Sequence, residues 1–288
     1  MTVAVADGYT QLALHVLAHV PQGGPGELYD PRYVAWSTRA LGADDLIADG
    51  AVIGARWRLD PGLAALHALP ELFGSIAALR RCAARPLAEL GPEDVAAPGL
   101  LAALQAHDEV AVELAYAALG LCAPRLEACM RRTILPALSA AQVAVAAAVD
   151  ALAPAFPGLA EARVELAWAL GCRGRALPRR IVVGAPAVWT DVDPPTSAVI
   201  AAHEHSVRAC GATSYALAEW RALVDVAARL RHGPSALRDA HARWVAGLDL
   251  STVVVGAIAA GLATPADAAA LAEPRGRAAR LAELSTIV

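Results

Sequence analysis

Apolar residues recur every three to four positions along most of the chain, and this spacing predicts helices. Short segments with proline or glycine, such as PGELYDP, LDPG and HGPS, separate the apolar stretches and supply residues that begin helices. The helices predicted in this way cover residues 9–20, 31–41, 61–85, 99–120, 124–153, 159–170, 196–210, 214–231, 235–246, 250–262 and 265–284.

Only two stretches have the pattern of a strand. RRIVVGAPAVW (179–189) contains a cluster of β-branched residues between two prolines, and GAVIGARWRL (50–59) is the second candidate. We therefore predict a mainly α fold: a multi-helix single domain over residues 1–288, with at most a small β element near residues 179–189. A sub-boundary within this domain is expected near residues 154–174.

Composition changes how the apolar pattern is interpreted. Hydrophobic residues make up 57% of the chain, but much of that share is alanine, which favours helices more than it contributes to burial. The longest apolar runs, at 140–149 and 253–263, are shorter than the roughly 20 residues that span a bilayer. The N-terminal segment has an early aspartate and no basic region, unlike a signal peptide. We expect a cytoplasmic protein without a membrane partner.

Charge and cysteine content narrow the function classes further. The net charge is −4 and the arginines are interspersed with acidic residues, so the chain lacks the basic stripe of a nucleic-acid-binding protein. The cysteines form no CxxC pair, and we predict that they are buried free thiols: Cys82, Cys122, Cys129, Cys172 and Cys210.

The segment PPTSAVIAAHEHSVRACG (194–211) contains a His-Glu-His sequence within a predicted helix. At about 100° per residue, His203 shares a face with Val199 and Val207, whereas His205 points about 200° away from it. The two histidines therefore cannot chelate one ion from a regular helix. Because the face of His203 is apolar, we predict that His203 is more buried than His205.

A β-rich segment, a proline-containing turn and an apolar helix with His-Glu at its middle resemble the zincin metallopeptidases. The resemblance covers about residues 181–220 and implies that His203 is a zinc ligand and that Glu204 is the catalytic base. It also implies Glu219, on the following helix, as a further ligand. The sequence departs from the family at Val207, which replaces the second histidine. The alternative is an ordinary helix in which His203 pairs with a polar neighbour and Glu204 lies at a solvated edge.

A second histidine pair lies near the N-terminus. His15 and His19 are one helical turn apart, so both imidazoles project from the same side, which is the spacing of a chelating pair. Since one histidine cannot hold a divalent ion tightly, we predict that His15 or His19 lies close enough to His203 to share an ion or a water. The alternative is a helix end in which both histidines interact favourably with the macrodipole.

Two other groups of residues are weaker candidates for a functional site. Glu109 and Glu113 share a predicted helix face, as carboxylates do in di-iron bundles, but no ExxH sequence accompanies them, which favours a solvated face. His241 could complete a site, although we interpret it as a helix-surface residue.

These observations give one leading hypothesis and two alternatives. The leading hypothesis is a metal-binding protein, a metal-dependent hydrolase of degenerate zincin type with Glu204 as the base and zinc or iron as the cofactor. Its metal ligands would be His15, His19, His203 and Glu219, and its substrate a small molecule or peptide. The alternatives are a non-catalytic helical scaffold that binds a protein partner, and a helical di-iron oxidase.

Overall fold

A computed structural model describes residues 2–19, 29–41, 55, 71–75, 77–79, 81, 124–210 and 214–284. Its strands are β1 (Thr2–Val5), β2 (Arg163–Ala167), β3 (Gly174–Ala176) and β4 (Ile181–Gly184). Its helices are α1 (Gly8–Ala18), α2 (Pro31–Leu41), α3 (Leu135–Leu152, after a π-helical turn at Met130–Ile134), α4 (Pro194–Ala209), α5 (Tyr215–Leu230), α6 (Ser235–Ala246), α7 (Ser251–Ala259), α8 (Pro265–Ala272) and α9 (Arg277–Leu284).

The four strands form one mixed sheet in the order β1-β2-β4-β3. β1 pairs in parallel with β2 and β2 with β4, whereas the edge strand β3 runs antiparallel to β4. The prediction of a mainly α fold, with β structure only near residues 179–189, is therefore wrong. Helices still dominate the described chain, and the strand at 179–189 exists as β4.

The physical reason for the error is clearest at β2, which lies inside the predicted helix 159–170. Four of its five residues are buried, because parallel neighbours flank it and helices cover the sheet. A strand buried on both faces has a continuous apolar sequence instead of alternation, and such a run cannot be distinguished from a buried helix by periodicity. The second predicted strand, at 50–59, lies outside the described residues except for position 55.

Most other predicted helices that fall on described residues are present. Predicted helices 31–41 and 235–246 coincide with α2 and α6. The helix predicted at 265–284 is divided into α8 and α9 by a short turn at Pro274–Gly276, because proline cannot continue a helix. The helices predicted at 61–85 and 99–120 lie largely outside the described residues.

Helix α3 packs against β1 and α4 with Leu138, Val145 and Val149 buried, and the side chain of Gln142 donates a hydrogen bond to the Val3 carbonyl. With its flanking turns, the helix covers Pro124–Ala155 and is long and apolar enough to cross a membrane; 22% of its most apolar stretch is buried. A helix that packs on a sheet of its own chain meets the same criteria. The pattern is therefore weak evidence for a membrane span.

Gln11 on α1 fastens this helix to the carboxyl end of β2. Its side-chain nitrogen donates to the Leu166 carbonyl at 3.1 Å, and its oxygen accepts from the backbone N–H of Trp168 at 3.0 Å.

We expect Gln11→Ala to lower the free energy of unfolding by about 2 kcal/mol, since it removes the partner of the buried backbone N–H of Trp168. Urea unfolding measures this loss, and Gln142→Ala, at a half-buried site, is the control with an expected loss below about 1 kcal/mol. Equal losses in the two variants would contradict this role.

Candidate functional site

The helix that carries the His-Glu-His sequence is fixed at its start by local chemistry. Asp193 caps α4 by accepting a hydrogen bond from the Thr196 N–H at 2.8 Å, and two prolines occupy the first helical positions. Ser197 then donates to the Gly184 carbonyl at 2.8 Å, so the helix is tied to the end of β4. This attachment directs the middle of α4 into the protein interior.

His203 lies in that interior and contacts two other helices. It is 2% exposed, and its Nε2 is 2.8 Å from the Oε2 atom of Glu219 on α5. The indole ring of Trp244 on α6 lies edge-on, with ring centroids 5.0 Å apart. The other ring nitrogen, Nδ1, is buried and has no hydrogen-bond partner among the described residues. His205 is more exposed than His203, so the predicted order of burial is confirmed.

Glu204 is also buried, because it faces the edge strand β3. The backbone N–H of Ala176 donates a hydrogen bond to its carboxylate. The β3 backbone lies so close that a Cβ atom at Gly174 would be 2.5 Å from Cγ of Glu204. The expectation that Glu204 lies at a solvated edge of an ordinary helix is therefore wrong. A glycine at this position allows the close approach, since any side chain would collide with Glu204.

His241 on α6 completes the group that we call the acid–base cluster: His203, Glu204, Glu219 and His241. It is 3% exposed, so its interpretation as a helix-surface residue is wrong. Its ring lies 6.3 Å from that of Trp244, and its buried Nε2 atom meets no hydrogen-bond partner within the described part of the chain. Burial and the nearby charge of His203 lower the pKa of His241 to about 4.

The acid–base cluster holds two groups whose proton affinity is increased. Burial lowers the pKa of His203, but the charge and hydrogen bond of Glu219, together with Glu204, outweigh this effect and raise it above its ordinary value. Burial and the charge of Glu219 raise the pKa of Glu204 to about 7, against the opposing effects of His203, Arg175 and the Ala176 N–H. An imidazole whose pKa is raised and a carboxyl group with a pKa of about 7 therefore lie side by side.

The histidine pair of α1 belongs to a different set of contacts. His15 Nδ1 is 2.7 Å from the Tyr33 hydroxyl, and His19 contacts the His15 carbonyl and the Ser37 hydroxyl. Burial, then the charge of His19, lowers the pKa of His15 to about 3, and burial lowers that of His19. Within the described residues, neither histidine makes a hydrogen bond or a ring contact with His203. His19 ends α1, as the helix-end alternative expects.

The structure thus brings His203, Glu204 and Glu219 together and assigns His15 and His19 to separate neighbours. Sequence reasoning missed the contribution of β3, namely Arg175 and the Ala176 N–H. The closely spaced glycines and arginines of GCRGRALPRR were the available indication of a tight hairpin against a polar site.

The described residues contain no group of three or more His, Cys, Asp or Glu side chains that could hold a metal ion. Glu109 and Glu113 lie outside the described residues.

Comparison of the chain with protein-family models, with curated proteins and with solved structures finds no match, so the acid–base cluster and its surroundings are the observations from which function is argued.

Proposed function

We propose that this protein is an enzyme that performs general acid–base chemistry at the acid–base cluster, and that its reaction is hydrolysis of a small-molecule or peptide substrate. The observation that carries the proposal is the buried His203–Glu219 pair at 2.8 Å, beside a glutamate with a pKa of about 7. Groups with such strongly shifted pKa values concentrate at functional sites, and an acid or base that titrates near the working pH is the most effective catalyst. A cytoplasmic location is part of this proposal.

The roles follow from the hydrogen bonds of each group. Glu204, when ionised, takes a proton from water as the water oxygen attacks a carbonyl carbon; the resulting carboxylic acid then gives that proton to the leaving group. In the imidazolium form of His203 both ring nitrogens carry a proton, and Glu219 accepts only the one on Nε2. The Nδ1 proton, for which the described residues supply no acceptor, is available to the oxygen that becomes negative during the attack.

A metal-dependent hydrolase of degenerate zincin type is the second candidate. The 2.8 Å contact between His203 Nε2 and Glu219 Oε2 favours it, because the same two side chains are the ligands that the resemblance implies. Zinc would act as a Lewis acid, but it takes three or four protein or water ligands. The described residues place only these two donor atoms together, so the donor set does not fit a closed zinc site, and no step is derived through the ion.

The test is hydrolysis of a panel of ester, peptide and phosphoester substrates by the purified full-length protein. We expect Glu204→Gln to reduce turnover about hundredfold, since general acid–base catalysis contributes about 10²–10⁴-fold. Glu161→Gln, at an exposed glutamate, is expected to retain the parent rate. Circular dichroism of each variant shows whether it is folded.

The outcomes distinguish the candidates. A rate that survives chelators supports metal-independent acid–base chemistry, whereas a rate that chelation abolishes and zinc restores supports the second candidate. Turnover by folded Glu204→Gln equal to the parent rate, or no hydrolysis of any substrate class above the buffer rate, would overturn both. The scaffold hypothesis, with a protein partner, would then replace them.

A further inference from the structure

The side of α4 that carries His205 borders a cleft whose lining contains none of the residues of the acid–base cluster. This cleft, which we call the outer cleft, has a volume of about 370 Å³ and lies between α4, α5 and the Phe156–Pro157 turn. His205, Ser206 and Cys210 line it from α4, and the side chains of α5 form the facing wall. His203 and His205 project in different directions from the same helix, so His205 faces the outer cleft and His203 does not line it.

Two charged residues of the outer cleft, Asp225 and Arg229, form an ion pair with each other. Asp225 is fully engaged: one oxygen accepts from the Ser206 hydroxyl at 2.8 Å and the other from Arg229 at 2.5 Å. Arg229 also donates to the Ala155 carbonyl at 2.6 Å, and its guanidinium lies 5.3 Å from the centre of the Phe156 ring. This network neutralises Asp225 and holds Arg229 in place.

Arg221 is a second arginine of the outer cleft and is not part of this network. It lines the outer cleft one helical turn before Asp225, and within the described part of the chain it makes no hydrogen bond or ion pair. Burial raises the pKa of the Cys210 thiol; the charge of Arg221 opposes this effect, and the charges of Asp225 and Glu219 add to it. Arg221 therefore offers a ligand of the outer cleft a positive charge that no hydrogen bond or ion pair from the described residues engages.

The rest of the lining indicates what kind of anion fits. Pro157 and Ala209 are apolar and exposed, so they provide a hydrophobic surface beside the charge. A volume of about 370 Å³ falls in the range of small-molecule sites and exceeds what a single inorganic anion fills. Binding of a ligand with an apolar body would remove this surface from water, while its charged end pairs with Arg221.

We propose that the outer cleft binds a small organic carboxylate, with the carboxylate on Arg221 and the apolar part against Pro157 and Ala209. The binding is independent of the proposed hydrolysis, since none of these residues belongs to the acid–base cluster. Ser206 and Arg229 contribute by holding Asp225 away from the carboxylate, so that it does not compete for Arg221.

Benzoate is a suitable probe, and Cys210 is a built-in reporter because it lines the outer cleft. Alkylation of each cysteine by iodoacetamide is followed by peptide mass spectrometry at constant ionic strength, with the partly exposed Cys172 as the internal reference. We expect benzoate to slow alkylation of Cys210 but not of Cys172, with half-protection at concentrations on the order of 1–10 mM, the affinity range of a ligand of this size.

Two variants decide whether Arg221 is responsible. Arg221→Gln is expected to raise the half-protecting concentration at least about fivefold, since it removes a charge-assisted contact. Arg238→Gln removes an exposed arginine from α6 and is expected to leave protection unchanged. Absence of protection in the parent protein, or equal protection in Arg221→Gln, would overturn the site. Protection by inorganic phosphate as strong as that by benzoate would overturn the assignment to an organic carboxylate.

Discussion

Replacing Gly184 with alanine is expected to destabilise the protein by more than about 4 kcal/mol, a loss in the exceptional range for a single substitution. Gly184 is the last residue of β4, and it lies directly against the backbone of the turn that precedes β3. A Cβ atom at this position would lie 1.7 Å from the carbonyl oxygen of Gly171. Because both groups are backbone, no side-chain rotation relieves the collision, and the two chain segments must separate.

That separation would also break contacts that position the candidate site. The Gly184 N–H donates to the Arg173 carbonyl at 2.9 Å, and its carbonyl accepts from Ser197 at the start of α4. Urea unfolding followed by circular dichroism measures the loss, or the soluble fraction shows it if the variant does not fold. Gly276→Ala is the matched control, since nothing lies within 4 Å of its added Cβ, and its expected effect is below about 0.5 kcal/mol. If the free energy of unfolding of Gly184→Ala is within about 1 kcal/mol of the parent value, the turn moves enough to accommodate the methyl group and the prediction is wrong.

Glu204→Gln is expected to change the pH dependence of stability by about 3 kcal/mol between pH 4.5 and pH 8. The pKa of Glu204 rises from 4.5 to about 7 on folding, mainly because the carboxyl group is buried. Below pH 4.5 the group is protonated in both states. As the pH rises from 4.5 towards 7, the unfolded chain releases the proton while the folded protein retains it. The folded state is therefore increasingly disfavoured, up to about pH 7.

The glutamine variant lacks this titration, so its stability relative to the parent should improve steadily over that interval. Glu71, whose pKa burial also raises to about 7, contributes the same slope to both proteins, so the difference between them reports the titration of Glu204 together with its effect on His203. Urea unfolding at half-unit pH intervals gives the two curves, and Glu161→Gln supplies the control with a parallel curve. A constant difference between parent and Glu204→Gln would contradict a raised pKa for this group.

Residue spacing along α4 was enough to predict part of the acid–base cluster. Helical periodicity placed His203 on the apolar face of α4, whereas Glu219 was suggested only by the resemblance to the zincins; the two side chains contact each other. The prediction from periodicity succeeded because α4 is a regular helix, in which residue spacing fixes direction. The same rule explains why His205 is the more exposed of the two neighbouring histidines.

Long-range pairing and packing account for the remaining features. The segments 2–5 and 163–167 became strands because they pair with each other, and short apolar sequences do not reveal a partner more than 150 positions away. The edge strand β3 buries Glu204 and shifts its pKa, and the packing of α6 buries His241 beside Trp244. The predicted approach of His15 or His19 to His203 shows the same limit. One-turn spacing predicted correctly that His15 and His19 are neighbours. Their partners, Tyr33 and Ser37, follow only from the packing of α1 against α2.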